Sequence, residues 1–526
     1  MNSMKQEQRF KFSSQGQGSA TFNVVEIRGE EAISELFWFE ITLVSSDANV
    51  DFDEMLKNKA TLTIMSIDGS ESIPYHGILS KFEQLSKKNN FVFYKAMLVP
   101  RLWSLSLYEA NEVYIDEKSV PDTVATILQS SNLTHADFSL SLKNPSAYRK
   151  RTFICQYQET NLNFINRSLE YLGIYYFFEH DKSESGIEKL HITDFKESHP
   201  NGVVNLTYCN PEDLDSALQD TCVYNFASCQ CPVPQSVTVQ DFNYRNAALG
   251  DGLKATAAVN PNGVGTVMLY GGNLRTVQNA QLIANVRAEA FVAEMKTYTA
   301  DATAVGIRSG QFVKVQDHYR NAYNAKYLVT RVKHSGTQAG ALLGGEATAF
   351  APEERGTTYK CSFEAIPAET QFRPQLITPV PRVAGVLSAI IDAEGSGQYA
   401  ELNDYGLYKV QLVYDKSSKP PNKGSCYVRM ATDYTGSHNG LHFPLIKGTE
   451  VLLAFNGGDP DQPVIIGAVP NSENYNVVND GIQTNNRILT NGGNQIVMND
   501  QSNRQMVSIS TPGGSTSIVI GTFPIK

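Results

Sequence analysis

The chain of 526 residues contains no apolar run close to the 18–20 residues that a membrane-spanning helix requires, roughly 30 Å of hydrocarbon at 1.5 Å per residue. Its first residues, MNSMKQEQRFKFSSQGQG, lack the apolar core of a secretory signal. Together these absences predict synthesis and folding in the cytoplasm, with any export by a route that reads no N-terminal signal. Positive charge is also short. The formal net charge is −10, which argues against a nucleic-acid partner. Cysteine is sparse and odd in number, seven in all, and without a signal that count predicts thiols in a reducing compartment. Cys222, Cys229 and Cys231 lie close in sequence, but their C-x6-C-x-C spacing does not match the paired hooks of a zinc site. His438 and His442 have H-x3-H spacing, yet Gly436 and Gly440 make the segment a loop and no third ligand is apparent. No metal and no cofactor are therefore expected.

Catalytic signatures are missing as well. There is no G-x-S-x-G elbow, H-E-x-x-H, P-loop or C-x2-C pair. Gly263-Val-Gly265 looks like part of a dinucleotide loop but lacks the third glycine and the strand–helix context. Asp459 and Asp461 sit between glycines and prolines and read as a tight hairpin turn rather than an acid–base pair. The chain is expected not to be an enzyme.

What remains is a β-rich pattern with abundant turns. Tyr and Phe number 25 each against two Trp, and 41% of residues are hydrophobic. Leu36–Val44, Lys59–Met65, Tyr75–Phe82 and Phe91–Val99 alternate as strands, about five in an antiparallel set that suggests a small barrel or sandwich. A helix is predicted over Pro121–Ser130, with Ser119 and Asp122 at capping-box spacing. A second runs over Asn161–Tyr171, capped by Thr160 or Asn161 and ended by Gly173. Ile174–Glu179 follows as a buried aromatic strand. A new β unit begins near Ser236 and is interrupted by a helix over Gln278–Lys296 with a charged exposed face. Residues 335–382, rich in Gly and Pro, read as a linker. Five strands between Val383 and Val469 then suggest an OB-like barrel.

The last forty residues carry a repeat. The pairs Ile496/Met498, Val507/Ile509 and Ile518/Ile520 follow one another at eleven-residue intervals, separated by turn formers. Each pair marks one buried strand face. Two or three apolar residues per strand are too few for a core within one chain, so intertwining with identical chains into a narrow prism is one reading. An ordinary β-meander is the other.

Several stretches carry a resemblance. Leu98-Val-Pro-Arg-Leu-Trp-Ser-Leu-Ser-Leu107, Asp116-Glu-Lys-Ser-Val-Pro121, Cys155 through His180, Tyr327-Leu-Val-Thr-Arg-Val-Lys-His334, Asp404 through Asp415 and Gly448 through Asp461 resemble, in order, segments of the VgrG proteins. These are the central spikes of type VI secretion systems, related to the hub and spike of contractile phage baseplates. The resemblance implies a mainly β fold with helical insertions. Residues 1–370 would form a hub of two β-barrel-like parts, 371–470 an OB-fold domain, and 471–526 a short needle, an intertwined trimeric β-helix or prism. It further implies a homotrimer that docks the hexameric inner tube and other baseplate proteins, seats a PAAR-like tip protein, carries effector cargo in some relatives and meets the target membrane mechanically. Before assembly such a chain is cytoplasmic; in the particle it is delivered outside the cell on firing.

On this reading Ile496, Met498, Val507, Ile509, Ile518 and Ile520 line the trimer axis, and Thr522, Phe523, Pro524 and Ile525 seat the cap. Two departures stand out. The D-x-x-G-R-V-K-V pattern common in the family's OB domain is here Gly406-Leu-Tyr-Lys-Val410, without the arginine. Only about seventeen polar residues separate barrel from needle and the sequence stops at Lys526, which leaves no room for an inserted lysozyme or a C-terminal effector and favours a bare spike. Two other functions are weighed: a spike enzyme that degrades cell wall, which needs a carboxylate pair the sequence does not name, and a glycan-binding tip.

Overall fold

The computed structural model describes residues 8–88, 90–115, 118–182, 186–210, 221–247, 253–339, 357–394, 397–415, 423–513 and 516–521. The chain divides into two compact units, Met1–Pro381 and Arg382–Lys526.

The first unit is built on one twelve-stranded sheet that curls into two barrels. In spatial order its strands are Phe10–Ser14, Lys59–Met65, Ser72–Lys88, Phe91–Val99, Trp38–Ser45, Asn23–Ala32, Lys326–Thr337, Phe312–Gln316, Val203–Tyr208, Cys222–Gln230, Lys296–Ala302 and Thr358–Pro367. The last of these pairs back onto Lys326–Thr337 through ten register positions, Tyr327↔Pro367 to Thr337↔Thr358. The last six strands thus form a closed ring, which leaves no free edge. In the first six, Gln338 spans the gap between the two ends. Its backbone N–H donates to the Val25 carbonyl at 2.9 Å. Its side-chain amide accepts from Phe10 N at 3.0 Å and donates to the carbonyls of Phe10 (3.0 Å) and Val24 (2.7 Å). One buried side chain therefore satisfies edge groups of two strands that do not pair with each other.

Alternation explains the filling. In Trp38–Ser45 and Phe91–Val99, Phe39, Ile41, Leu43, Tyr94, Ala96 and Leu98 are all buried in one continuous core. Phe22, Phe82 and Tyr94 pack ring on ring within it, with centroids 5.4–6.0 Å apart.

Among the described residues four α-helices ornament the barrels: α1 Phe52–Lys57, α2 Val120–Ser130, α3 Asn161–Leu172 and α4 Val277–Met295. α2 starts with the expected capping box between Ser119 and Asp122. α3 is capped by Thr160 and ends at Gly173, whose φ of 71° lies in the left-handed region. α1 was not anticipated. Its six residues are too few for a period to register, although Asp51 caps it by accepting from Asp53 N and Glu54 N. α4 differs from expectation too. Rather than lying on a charged outer face, Arg287 is buried and donates to the Glu170 and Tyr171 carbonyls, orphan acceptors at the end of α3.

Three further sequence expectations are corrected. Residues 358–367, read as linker, form a strand of the closed ring, because Tyr359, Cys361, Phe363 and Ala365 alternate inward. Residues 371–378 are also fastened down. Arg373 donates to the carbonyls of Gly173 (2.8 Å) and Asp194 (2.7 Å). Glu170 accepts from Ile377 N and Thr378 N at 3.1 and 3.0 Å. Third, not every cysteine is a thiol. The parallel pairing of Val203–Tyr208 with Cys222–Gln230 sets Thr207 opposite Cys222, and Cys222 is joined to Cys209.

The second unit contains a five-stranded sheet in the order Lys409–Leu412, Leu387–Asp392, Glu450–Phe455, Pro463–Ala468, Arg429–Met430. A bridge between Tyr408 and Val428 joins its two ends into a barrel. Ala389, Ile391, Val410, Leu412, Val451, Leu453 and Ile465 fill it. A separate four-stranded antiparallel sheet follows: Asn485–Leu489, Gln495–Asn499, Met506–Thr511 and Thr516–Gly521.

Candidate self-association surface

The C-terminal sheet is where a described surface carries unusual chemistry. Its register is continuous. Ile488 faces Ile496, Ile496 faces Ile509, and Ile509 faces Ile518. In the next row Met498 faces Val507, and Val507 faces Ile520. Side chains two apart on a strand share a face, so these seven aliphatic residues form one stripe across four strands. In the single chain all seven are exposed, from 38% at Ile496 to 68% at Ile520. The opposite face mixes Arg487, Gln495, Asn499, Ser508 and Ser510 with the apolar Leu489, Val497, Met506 and Val519. There Arg487 donates to Gln495 Oε1 at 2.9 Å, and Gln495 to Ser510 Oγ at 3.1 Å. One face is thus crossed by polar pairs among apolar side chains, and the other presents a continuous exposed aliphatic stripe.

The register shows why the eleven-residue interval recurs. Each strand plus its turn returns the same two positions to the same row. Gly493 makes one turn, with φ 80° and the Pro512 ring 3.0 Å from where a Cβ would stand. Four strands are present where three pairs were read, because Asn485–Leu489 offers only Ile488 to the stripe. The expected cap-seating residues Thr522, Phe523, Pro524 and Ile525 lie outside the described residues.

Other residues singled out by sequence fall apart spatially. Asp459 takes its hydrogen bonds locally, from Asp461 N at 3.0 Å and Gln462 Nε2 at 2.8 Å, as a turn residue does. Gly263 packs against the Val233 and Pro234 carbonyls with no room for a Cβ, so its glycine serves close approach. His438 sits in a two-residue-strand hairpin at φ 65°, while His442 stacks on Tyr408. Cys229 and Cys231 are exposed with sulfurs 3.7 Å apart. No group of three or more metal-ligating side chains occurs among the described residues.

Sequence reasoning missed a buried polar cluster in the first unit. Glu31 accepts from the Tyr75 hydroxyl at 3.2 Å and from Ser309 N and Oγ at 3.3 and 3.2 Å, and meets His334 Nε2 at 3.1 Å. His334 Nδ1 is 2.9 Å from the Tyr359 hydroxyl. Burial, reinforced by the Glu31 charge, holds the Tyr75 phenol protonated far above its ordinary range. The signal was present: Glu31 shares the inward phase of Ile27 and Gly29. Its partners Tyr75, Ser309 and His334 come from three other segments and have no sequence pattern of their own. All four acceptor contacts are used internally, so the cluster acts as a fastener rather than a reactive group.

A family model for the phage tail baseplate hub (GPD) matches residues 30–340. The chain belongs to the phage tail baseplate hub family. A second model, the type VI secretion system/phage-baseplate injector OB domain, matches residues 403–469 of this hub-family chain. Among relatives, the type VI secretion system spike protein VgrG1a of Pseudomonas aeruginosa is 27% identical over 455 residues, covering 85% of this chain and 67% of its own length. VgrG5 of the same organism is 28% identical over 459 residues, covering 86% and 56%. VgrG3 of Vibrio cholerae is 26% identical over 481 residues, covering 85% and 43%. The chain thus spans only part of the length of the curated relatives it matches. Its fold resembles the E. coli c3393 protein, described as a type VI secretion component similar to the T4 tail proteins gp27 and gp5. The TM-score is 0.62 at 23% identity, over 87% of this chain and 100% of that one. A chain of the Francisella PdpA–VgrG complex also matches, with TM-score 0.62 at 12% identity over 94% and 82%. The expected family resemblance and the mainly β fold class are both borne out.

Proposed function

We propose that three copies of this chain form the central spike and hub of a contractile injection system. The observation that carries this reading is the bare aliphatic stripe of Ile488, Ile496, Met498, Val507, Ile509, Ile518 and Ile520. Each side chain is about half exposed, so complete burial contributes ~1 kcal/mol apiece, or roughly 20 kcal/mol across three chains. An exposed aliphatic stripe of this length is costly to leave in water and fits a shared axis. Sedimentation or light scattering on the purified chain tests it: a trimer mass is expected, and a stable monomer at micromolar concentration refutes it.

The first unit supports the adaptor role. Two barrels of six strands per chain give six in a trimer, which suits a hexameric inner tube. Binding of tube hexamers to the trimer, lost when the hub is removed, is the expected result. Thr522-Phe-Pro-Ile525 offers apolar side chains for a PAAR-like cap. Deleting 522–526 should release such a cap while leaving the trimer intact, and a cap retained by the deletion variant excludes this seat. Baseplate proteins and effector cargo complete the partner set, the target membrane is met mechanically, and no nucleic acid is involved. The chain assembles in the cytoplasm and leaves the cell as part of the particle. The role is mechanical rather than enzymatic; release of peptidoglycan fragments by the purified chain, lost on a single carboxylate substitution, overturns that statement.

A further inference from the structure

A cavity of about 30 Å³ lies in the first unit where α2, α3 and α4 approach one another. It is lined by Arg149, Arg151, Tyr171, Gly272, Asn273 and Asn279, among others, with no acidic side chain among the described lining residues. Arg149 donates through Nη2 to the Asn273 carbonyl, and its Nη1 is buried with no hydrogen-bond partner. Leaving a charged donor unpaired in a protein interior is expensive. The neighbours add to the cost. Burial and the positive charges of Arg151, Arg275 and Arg245 push the Arg149 guanidinium down to about 9. Arg151 is held there by an antiparallel backbone bridge to Lys118. Arg275 stands immediately before Thr276, the N-cap of α4, and donates to Thr152 Oγ1 at 3.2 Å. The first residue of α2, Val120, and the first turn of α4, at Asn279, both border the cavity, so the positive ends of two helices add to the field.

We propose that this cavity binds a small oxyanion, a phosphate or carboxylate group, gripped by the free Nη1 of Arg149. Its volume is that of two or three water positions, at about 10–15 Å³ each. It therefore takes one anionic head group and excludes a nucleotide. The guanidinium fork suits the paired oxygens of either group. The site is independent of the needle and of the trimer proposal.

The test uses the full-length chain and two variants, Arg149→Met and Arg149→Lys. Melting temperature is followed while sodium phosphate, and separately sodium acetate, replaces chloride at constant ionic strength. The native chain is expected to melt higher as the oxyanion replaces chloride. Arg149→Met should lose that response, with affinity weakened about tenfold or more for the loss of a charged hydrogen bond. In chloride alone it should melt above the native chain, because a repelled cation has been removed. Arg149→Lys should keep a weakened response. A response to phosphate alone assigns a phosphate ion or ester; a response to acetate assigns a carboxylate, such as one presented by a protein partner. No oxyanion response in the native chain overturns the proposal. So does an undiminished response in Arg149→Met, or failure of that variant to fold in chloride, which would make the guanidinium a structural tie to Asn273.

Discussion

The stripe on the C-terminal sheet makes a sharp prediction for Ile509→Asp. Ile509 is 49% exposed in the single chain and is flanked in its row by Ile496 and Ile518. In a trimer three copies of position 509 converge. Burying one unpaired carboxylate costs several kcal/mol, so three cost on the order of 10 kcal/mol or more. The loss of three isoleucines removes roughly 3 kcal/mol besides. Set against the roughly 20 kcal/mol that the whole stripe contributes, most of the drive to associate disappears. Sedimentation velocity at micromolar concentration should show a monomer, while circular dichroism should show both folded units intact. Burial raises a carboxyl pKa, and the neutral form costs less to bury, so association should recover in part as pH falls toward 4 and weaken again as it rises. Ser508→Asp, on the opposite face of the same strand, is the control and should remain trimeric. Normal trimers from Ile509→Asp, with loss of assembly in Ser508→Asp, would refute the assigned facing.

Three other perturbations test the hub. Gln338→Ala strands the amide and carbonyl of Phe10 and the carbonyl of Val24, and should cost about 2–4 kcal/mol in urea unfolding of the first unit; an unchanged midpoint means water replaces the side chain. His199, buried between Tyr175 and Gly310, is pushed down to about 4 by burial. The unfolded histidine takes up its proton near 6.5, before the folded one does, so stability is full above that pH and is lost as pH falls from 6.5 toward 4. The loss is about 2 kcal/mol at pH 5, and His199→Gln should flatten that slope in denaturant titrations at pH 7 and pH 5. Glu170→Ala releases Ile377 and Thr378, so thermolysin should cut near the exposed Leu376 and Ile377 faster than in the native chain, with the mass of the fragments as the readout.

Legibility followed the range of the interactions. The capping box of α2, the Gly173 stop of α3 and the strand alternation of both barrels are set within a few residues, and all were readable. The rows of the C-terminal sheet were readable because turn and strand repeat at a fixed interval. Features that depend on long separations were not. Glu31 needs Tyr75, Ser309 and His334 to become a fastener, and Cys209 meets Cys222 only through a parallel register. The 358–367 segment carried the inward period of a strand, but the glycines and prolines around it outweighed four alternating residues. Arg149 offered no pattern at all; its environment is set by Asn273, Arg151 and the starts of two helices that come together only in the fold.

Gln338 also bears on the order in which the molecule can be made. The strand Phe10–Ser14 is among the first parts to leave the ribosome, but the side chain that ties its edge to the neighbouring strand lies 328 residues later. Until that residue emerges, six strands stand with an open edge, the arrangement most inclined to pair with another nascent chain. Closure so distant in sequence makes folding slow, since the entropy of the loop must be met before the contact forms. A cell that produces this chain therefore carries, for most of each translation, an unfinished barrel that has to be kept apart from its siblings.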